Sequence, residues 1–485
     1  MSLSTALNTA QQIFNNTATQ TAVTSKNLAN KENANYARRA AITSTTLYGA
    51  TIVTTQRSQD LALLRQTLNS TSQYSAQQEL NDGLKQLSDI FGGNNQALSP
   101  STAMTKLQTS LQDYSAKPGD NTLGAAVVNN ALNMVNVLND ATQTLQQVRT
   151  DADKSIDIAV TKLNDLLKQF KVANDAAQSA TAAGLDPNDA MDVRETVLKQ
   201  ISEIVGVTAL RREPNDMVLF TNEGTTLFET SPRTVTFSPT LAYDASTIGS
   251  GIKIDGVPVS AGTGGNTTGQ GSLSGLLQLR DQVAPVLQKQ LDEIARGLIS
   301  AFSESDNGTP AVVKPGLFTW SGGTVPPAGT AVPDLSSRIT VNPAVNPAVS
   351  GDPSKLRDGS INGAAFNNNT TNSASFSTTL QAYSAALNAP MSVDPTTQLD
   401  PNSSLVKLAS KSVGWLEDIR SSSSTATENK DAMLSRAVDA YSNATGVNLD
   451  EELQTLLDLE HSYSASSKLL TTIDEMLKSL LNAAG

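Results

Sequence analysis

Apolar and small residues at the start of the chain alternate at spacings of four and three: Leu3, Leu7, Ala10, Phe14, Thr17, Thr21, Thr24 and Leu28. That rhythm puts them on one helix face in coiled-coil register. Several of these positions hold only Thr or Ala, so the face buries little alone, and isolated helices are already marginal in water. Asn27 to Tyr36 is dense in turn formers and ends the helix. A short strand is predicted over Tyr48 to Val53. A long helix then carries Leu61, Leu64, Leu68, Leu80, Leu84, Leu87 and Phe91 and stops at Gly92 and Gly93. Ser99 and Pro100 read as the N-cap and first residue of a helix using Met104, Leu107 and Leu111. The longest signal runs from Thr122 to Gln178, with Ala131, Val135, Leu138, Leu145, Ala152, Ile156, Ala159, Leu163, Leu166 and Phe170 in register. As one helix it would be a rod of roughly 80 Å. Asp192 to Val205 adds one more helix.

After Gly206 the period changes to two, and Met217 to Phe220, Leu227, Phe228, Val235, Phe237, Ile252, Ile254 and Val257 lie among Gly, Pro and Thr turns. Helical signal returns from Ser272 to Ser303. Asn307 to Asn372, rich in Gly, Pro, Asn and Thr, reads as a surface excursion with short strands near Leu317, Phe318 and Ile339 to Val341. Helices resume over Ser375 to Glu417 and Thr425 to Asn443. A final amphipathic helix starts at Leu449 and carries Leu453, Leu456, Leu457, Tyr463, Leu470, Ile473, Leu477 and Leu481. The expected fold class is mainly α: an elongated, multi-domain chain whose termini build a long coiled-coil or bundle rod, with an inserted β-rich domain. The segments are 1–38, an N-terminal coiled-coil helix; 39–206, helical rod; 207–271, β-rich insert; 272–305, a helix returning to the rod; 306–374, irregular surface insertion; 375–446, the remaining rod; and 447–485, a C-terminal coiled-coil helix.

Composition sharpens this picture. The 485 residues are 38% hydrophobic but only 4% aromatic, which suits narrow helical stripes better than one thick core. A net charge of -12 repels phosphate backbones and anionic lipid, so neither nucleic acid nor membrane is an expected partner. The chain has no Cys, which removes disulfides and thiolate chemistry. The first residues lack a basic n-region and an unbroken apolar run, so no cleaved signal peptide is expected.

No catalytic, cofactor or metal site is predicted. His461 is the only histidine, which excludes His-centred triads and bis-His metal sites by count, and it reads as an ordinary helix-face residue. Asp450, Glu451 and Glu452 follow Asn448 at capping-box spacing and suit the positive end of a helix dipole. Asp151, Asp153 and Asp157 point apart in helical register and read as a solvated face. Gly262 to Gly265 lacks the Lys-Ser/Thr of a phosphate loop and reads as a plain loop. Trp320 and Trp415 are too isolated for a sugar platform and read as structural.

Residues Ala6 to Arg39 resemble the N-terminal helix and Asn-x-Ala-Asn turn of flagellar axial proteins, with Asn27 to Asn30, Tyr36 and Arg38 in the motif places and Asn35 where Gly is more usual. Gly446 to Leu481 is similar to the C-terminal signature of the same class. Asp186 to Ala209 and Ser274 to Phe302, with the Gly316-Leu317-Phe318 turn, resemble the hook-associated protein 1 family, departing at Ala190 and Val193. The resemblance implies a structural role at the junction of hook and filament, with self-assembly into a ring. The implied partners are hook protein, hook-associated protein 3 and an export chaperone on the C-terminal segment. It implies an extracellular, flagellar location reached by type III export. Leu3, Leu7, Phe14, Leu28, Tyr36 and Arg38 become the expected N-terminal assembly interface. Leu449, Leu453, Leu456, Leu457, Tyr463, Leu470, Ile473, Leu477 and Leu481 become the C-terminal assembly and chaperone interface. Competing readings are another axial protein (hook-associated protein 3 or hook protein), a secreted coiled-coil adhesin or injectisome tip protein, and a wall hydrolase. The last would need a carboxylate pair lining a sugar cleft.

The thin N-terminal seam has a consequence for the free chain. Ordering about 30 residues costs roughly 1–2 kcal/mol each in backbone entropy, more than Thr and Ala contacts return. Limited proteolysis of the monomer should therefore trim residues before Arg38 and after Val447 first, leaving a resistant body. Slow amide exchange in both termini of a verified monomer would contradict coupled folding and assembly.

Overall fold

The computed structural model describes residues 3–45, 51–306 and 308–484. The fold is mainly α with small sheets. Twelve helices occur among these residues: α1 Leu3–Ala29, α2 Leu61–Ile90, α3 Pro100–Ala116, α4 Asn121–Ala182, α5 Asn188–Ile204, α6 Ser272–Gln278, α7 Ala284–Ala301, α8 Leu335–Arg338, α9 Ser354–Asp358, α10 Thr378–Asn388, α11 Leu405–Thr445 and α12 Leu449–Ala484. Two compact units emerge, one from Met1–Ser72, Lys162–Thr234 and Lys430–Gly485, the other from Gln73–Thr161 and Val235–Asn429.

In the first unit, strands β1 (Arg39–Thr45) and β2 (Thr51–Arg57) form an antiparallel hairpin with Arg39 opposite Arg57. The sequence suggested one strand from Tyr48 to Val53; its first residues lie outside the described region, and β1 had gone unread because Thr, Ala and Ser alternate there with little apolar contrast. Strands β3 (Val207–Arg212), β4 (Asp216–Thr221) and β5 (Thr226–Phe228) make a second antiparallel sheet. Val218, Leu219, Leu227 and Phe228 of this sheet are buried, as are Leu163, Leu166 and Phe170 of α4 and Leu198 and Ile201 of α5. Phe170 meets Phe228 edge to face, ring centroids 5.1 Å apart. α5 begins at Asn188, a turn earlier than its apolar pattern indicated; Pro187 stands at its N-cap, and Asp186 just before it accepts from the Asn188 N–H at 2.9 Å.

The second unit holds the remaining sheets: β6 (Val235–Thr236), β7 (Lys253–Ile254) and β8 (Val257–Pro258) in one, and the pairs β9 (Glu304–Ser305) with β10 (Val313–Lys314), β11 (Phe318–Trp320) with β12 (Ile339–Val341), and β13 (Pro390–Ser392) with β14 (Asn402–Ser404). Residues 207–271 thus form two separate sheets rather than one. Buried leucines of α2 (Leu80, Leu84, Leu87), α3 (Leu107, Leu111), α4 (Leu138, Leu145), α7 (Leu287, Leu291, Leu298) and α11 (Leu405, Leu408, Leu416) form the core of this unit. Ser99 caps α3 as expected, accepting from the Thr102 N–H at 3.1 Å. The helix predicted over Ser375 to Glu417 is interrupted after Asn388, where Pro390, Pro395 and Pro401 force extended and 3-10 backbone. Conversely, α11 runs unbroken through Ser421 to Ser424, since Ser423 is buried and its hydroxyl accepts from Gln77 Nε2 at 2.8 Å. The glycine-rich loop at 262–265 is clamped rather than loose: Gln77 Nε2 donates to Gly265 O at 2.8 Å and Gln278 Nε2 to Gly264 O at 2.7 Å.

Asp153, expected on a solvated face, is instead only 1% exposed at its side chain and pairs with the equally buried Arg280. Tyr243 OH and the Thr240 N–H donate to the same carboxylate at 2.7 and 2.6 Å. Arg149, stacked 4.4 Å from the Tyr243 ring, donates to the carbonyls of Asp244 and Thr247. Two buried arginines thereby pin the 240–250 loop to the helices, a contact between distant segments that helical periodicity alone does not show.

Gly275 is required by close approach: a Cβ there would sit 2.3 Å from the Ala76 carbonyl oxygen. Gly275→Ala should therefore destabilise by about 1–3 kcal/mol through overpacking, although Ala is favoured over Gly in a helix by about 1 kcal/mol. Denaturant unfolding decides the sign.

Candidate functional site

The two chain ends pack on each other in the first unit. Phe14 of α1 lies 4.8 Å from Tyr463 of α12, ring to ring, while Arg38, beyond the other end of α1, meets Glu452 at the start of α12. The helices therefore run antiparallel. On α1, Ala10, Thr17 and Thr24 are buried, with Leu7, Phe14, Thr21 and Leu28 half-buried beside them. On α12 the buried column is Glu452, Leu459, Ser466 and Ile473, a strict seven-residue repeat, flanked by half-buried Leu456 and Leu470.

Among the expected C-terminal seam residues, Leu456, Leu470 and Ile473 thus face inward, Tyr463 touches Phe14 while staying exposed, and Leu449, Leu453, Leu457 and Leu477 are exposed. Leu469 and Met476 are exposed as well. The side chains of Leu3 and Leu481 fall outside the described residues. The listing by leucines missed Leu459 and, more tellingly, Glu452 and Ser466, because polar residues occupy the repeat.

What fixes this pair is the turn after α1. Asn27, 1% exposed, accepts from Tyr36 OH at 2.8 Å and from the Arg39 N–H at 3.0 Å, and donates from Nδ2 to the Arg39 carbonyl at 2.8 Å. One side chain thus satisfies both backbone groups of a residue 12 positions on and a buried phenol. Burial pushes the Tyr36 hydroxyl up to about 12, so it stays a donor. The Arg38 N–H donates to the Thr445 carbonyl at the end of α11, and its own carbonyl accepts from Ser58 beyond β2, both at 2.8 Å. Its side chain donates to Glu452 Oε1 at 2.7 Å. Glu452 is therefore not a solvated capping residue as its neighbours suggested; it is a buried ion-pair partner. Asn448 does cap α12, accepting from the Asp450 N–H at 3.0 Å.

Arg39 and Arg57, directly opposed across the hairpin, would repel each other without counter-charge. α5 supplies it. Asp192 accepts from Arg39 at 3.0 Å and from Arg57 at 2.7 Å; Glu195 accepts from Arg57 and from Tyr441 OH, each at 2.7 Å; Asp189 accepts from Arg39 and from Lys26. Burial works against Glu195, but Arg57 and Lys199 outweigh it and hold its carboxyl below the ordinary range. The Arg39 guanidinium, followed by Lys26, lowers Asp189 likewise. Asp189, Asp192 and Glu195 lie at spacings of three on α5, a stripe visible in the sequence but unread there for want of a basic partner in sight. His461 is exposed. Among the described residues no group of three or more His, Asp or Glu side chains gathers as a metal site requires. The arrangement fastens chain ends; it is a structural clasp.

A mainly helical fold with paired termini is what the resemblance to flagellar axial proteins implied, and two parts of the chain match family models of that class. Residues 84–308 match the model of the flagellar hook-associated protein FlgK helical domain, and residues 438–483 match that of the flagellar basal body rod FlgEFG protein C-terminal region. Residues 84–308, a little under half of the chain, thus resemble the helical domain of FlgK-type hook-associated proteins. No curated protein matches it. A solved structure, that of the flagellar hook junction protein FlgK from Burkholderia pseudomallei, is similar at 22% identity and a TM-score of 0.42, over 53% of this chain and 47% of that one. The chain thus spans about half the length of that relative.

Asn27→Ala would strand the two Arg39 backbone groups and the Tyr36 hydroxyl in a buried place, a loss of at least about 3 kcal/mol at about 1–3 kcal/mol for each of the three unsatisfied groups. Proteolysis should then release α1 faster than in wild type while far-UV dichroism of the body persists. Because Asp189 and Glu195 have folded-state pKa values below their unfolded ones, their contribution is complete above about pH 5 and is lost as pH falls through the folded values. The clasp should open in acid below about pH 4, read by faster cleavage at the 30–38 turn.

Proposed function

We propose that the protein is a structural subunit of the junction between flagellar hook and filament and that it acts by assembly, not by catalysis. The observation that carries this reading is the closure of α1 on α12 by the Asn27, Tyr36 and Arg38 clasp, in a chain whose helical part matches the FlgK helical domain. Copies assemble into a ring, with hook protein on one side and hook-associated protein 3 on the other. The N-terminal interface residues divide by role: Leu7, Phe14 and Leu28 form the seam against α12, while Tyr36 and Arg38 hold the pair from inside. On α12, Leu456, Leu470 and Ile473 meet α1. Leu449, Leu453, Leu457, Tyr463 and Leu477 are the surface offered to neighbours in the assembly and to an export chaperone before it. Exposed apolar side chains along this helix, and a seam too poor to be self-sufficient, support that division. Export proceeds through the flagellar type III route.

Deletion of the gene tests the reading: cells should carry hooks without filaments and shed flagellin into the medium. Normal filaments on such cells would overturn it. Antibody label should sit at the distal end of the hook; label along the whole hook would assign the chain to the hook protein instead.

A further inference from the structure

The hairpin of β3 and β4 brings two guanidinium groups onto one neutral residue. Asn215, at the turn with φ 57°, accepts from Arg194 through its backbone oxygen at 2.5 Å and from Arg211 through its side-chain oxygen. Arg194 is 3% exposed and bonds otherwise to Asn174 Oδ1 at 2.8 Å; Arg211 bonds otherwise to Gln59 Oε1 at 3.2 Å. These partners are all neutral. The hairpin's own acid, Asp216, is occupied by Asn174, Gln178 and Arg212, and the α5 acids by Arg39, Arg57 and Lys199. Burial first, then repulsion from Arg211 and Arg57, lowers Arg194 to about 10, against the nearby Asp216 and Glu195. A guanidinium on a carboxamide leaves unused its strongest geometry, two parallel bonds to an oxyanion.

Arg211 also borders an open pocket of about 530 Å³, lined by Arg38, Ala40, Thr55, Gln56, Arg57, Ser58, Gln59, Pro187, Asn188, Met191, Arg211 and Asn215. Of the lining arginines, Arg38 is paired with Glu452 and Arg57 with Asp192 and Glu195, so the one held only by neutral partners is Arg211, and no lining residue is acidic, in a chain with 46 acidic and 34 basic residues.

We propose that this pocket is the socket for a carboxylate side chain of a second copy of the chain, with Arg211 as its anchor. Charge complementarity selects the occupant: every copy presents an excess of carboxylates, and in a ring each subunit lies against others of its kind. A socket on one face that takes a side chain from another part of the next copy is a heterologous contact, the kind that closes rings. The proposal rests on the self-assembly reading above.

The test uses R211K in junctions isolated from cells, since carbodiimide joins an amine, not a guanidinium, to a carboxylate. Treatment should yield an isopeptide bond between position 211 and an Asp or Glu of another copy, mapped by mass spectrometry of mixed light and heavy subunits, while wild type yields none at that position. A bond within one copy only, to a different axial protein, or none at all, overturns the second-copy socket. Stabilisation of the monomer by phosphate at constant ionic strength, lost in R211Q, without an intercopy bond, would assign the pocket to a small oxyanion and equally overturn it. Absence of junctions from wild-type cells would instead contradict the self-assembly reading, so the two failures are distinguishable.

Discussion

The buried carboxamide of Asn27 is the fixed point of the first unit. α1 cannot place itself, because its inward column of Ala10, Thr17 and Thr24 buries little apolar area and meets a column on α12 that includes Glu452 and Ser466. Direction and register must come from polar bonds, which are weak in sum but strict in geometry. Asn27 reads the backbone of Arg39, Arg39 is thereby set opposite Arg57, and the adjoining Arg38 is set against Thr445 and Glu452. A chain end fastened in this way can be released without disturbing a core.

The same economy of charge recurs in each unit taken by itself. In the first, Asp189, Asp192 and Glu195 neutralise two arginines that the hairpin register forces together. In the second, Arg280 with Asp153 and Arg296 with Glu293 are buried pairs whose remaining donors reach backbone carbonyls of loops. Buried pairs of this kind add little net stability compared with apolar packing, but breaking one partner away is costly, so they select one arrangement of loop on helix.

Much of the helical framework was legible because periodicity and end signals agree: the 3.5-residue repeat of α4, Ser99 before Pro100, and the glycines after α2. The seam of α1 was legible for the same reason, even with Thr in apolar places. What escaped were features decided by partners far along the chain. Strand β1 has no pattern without β2; Asp153 looks solvated until Arg280 is brought to it; and Glu452 looks like a cap residue until Arg38 arrives. The break after Asn388 was the exception, since Pro390, Pro395 and Pro401 were there to be read.

The central claim is that one polar clasp holds both chain ends, so that α1 and α12 open together. Amide hydrogen exchange of wild type and Glu452→Gln measures this directly, peptide by peptide. Weakening the Arg38 bond should raise exchange in α1 and in α12 by the same factor while α5 and the sheet of β3 to β5 keep their protection. Loss of protection in α12 alone, with α1 unchanged, would contradict the account.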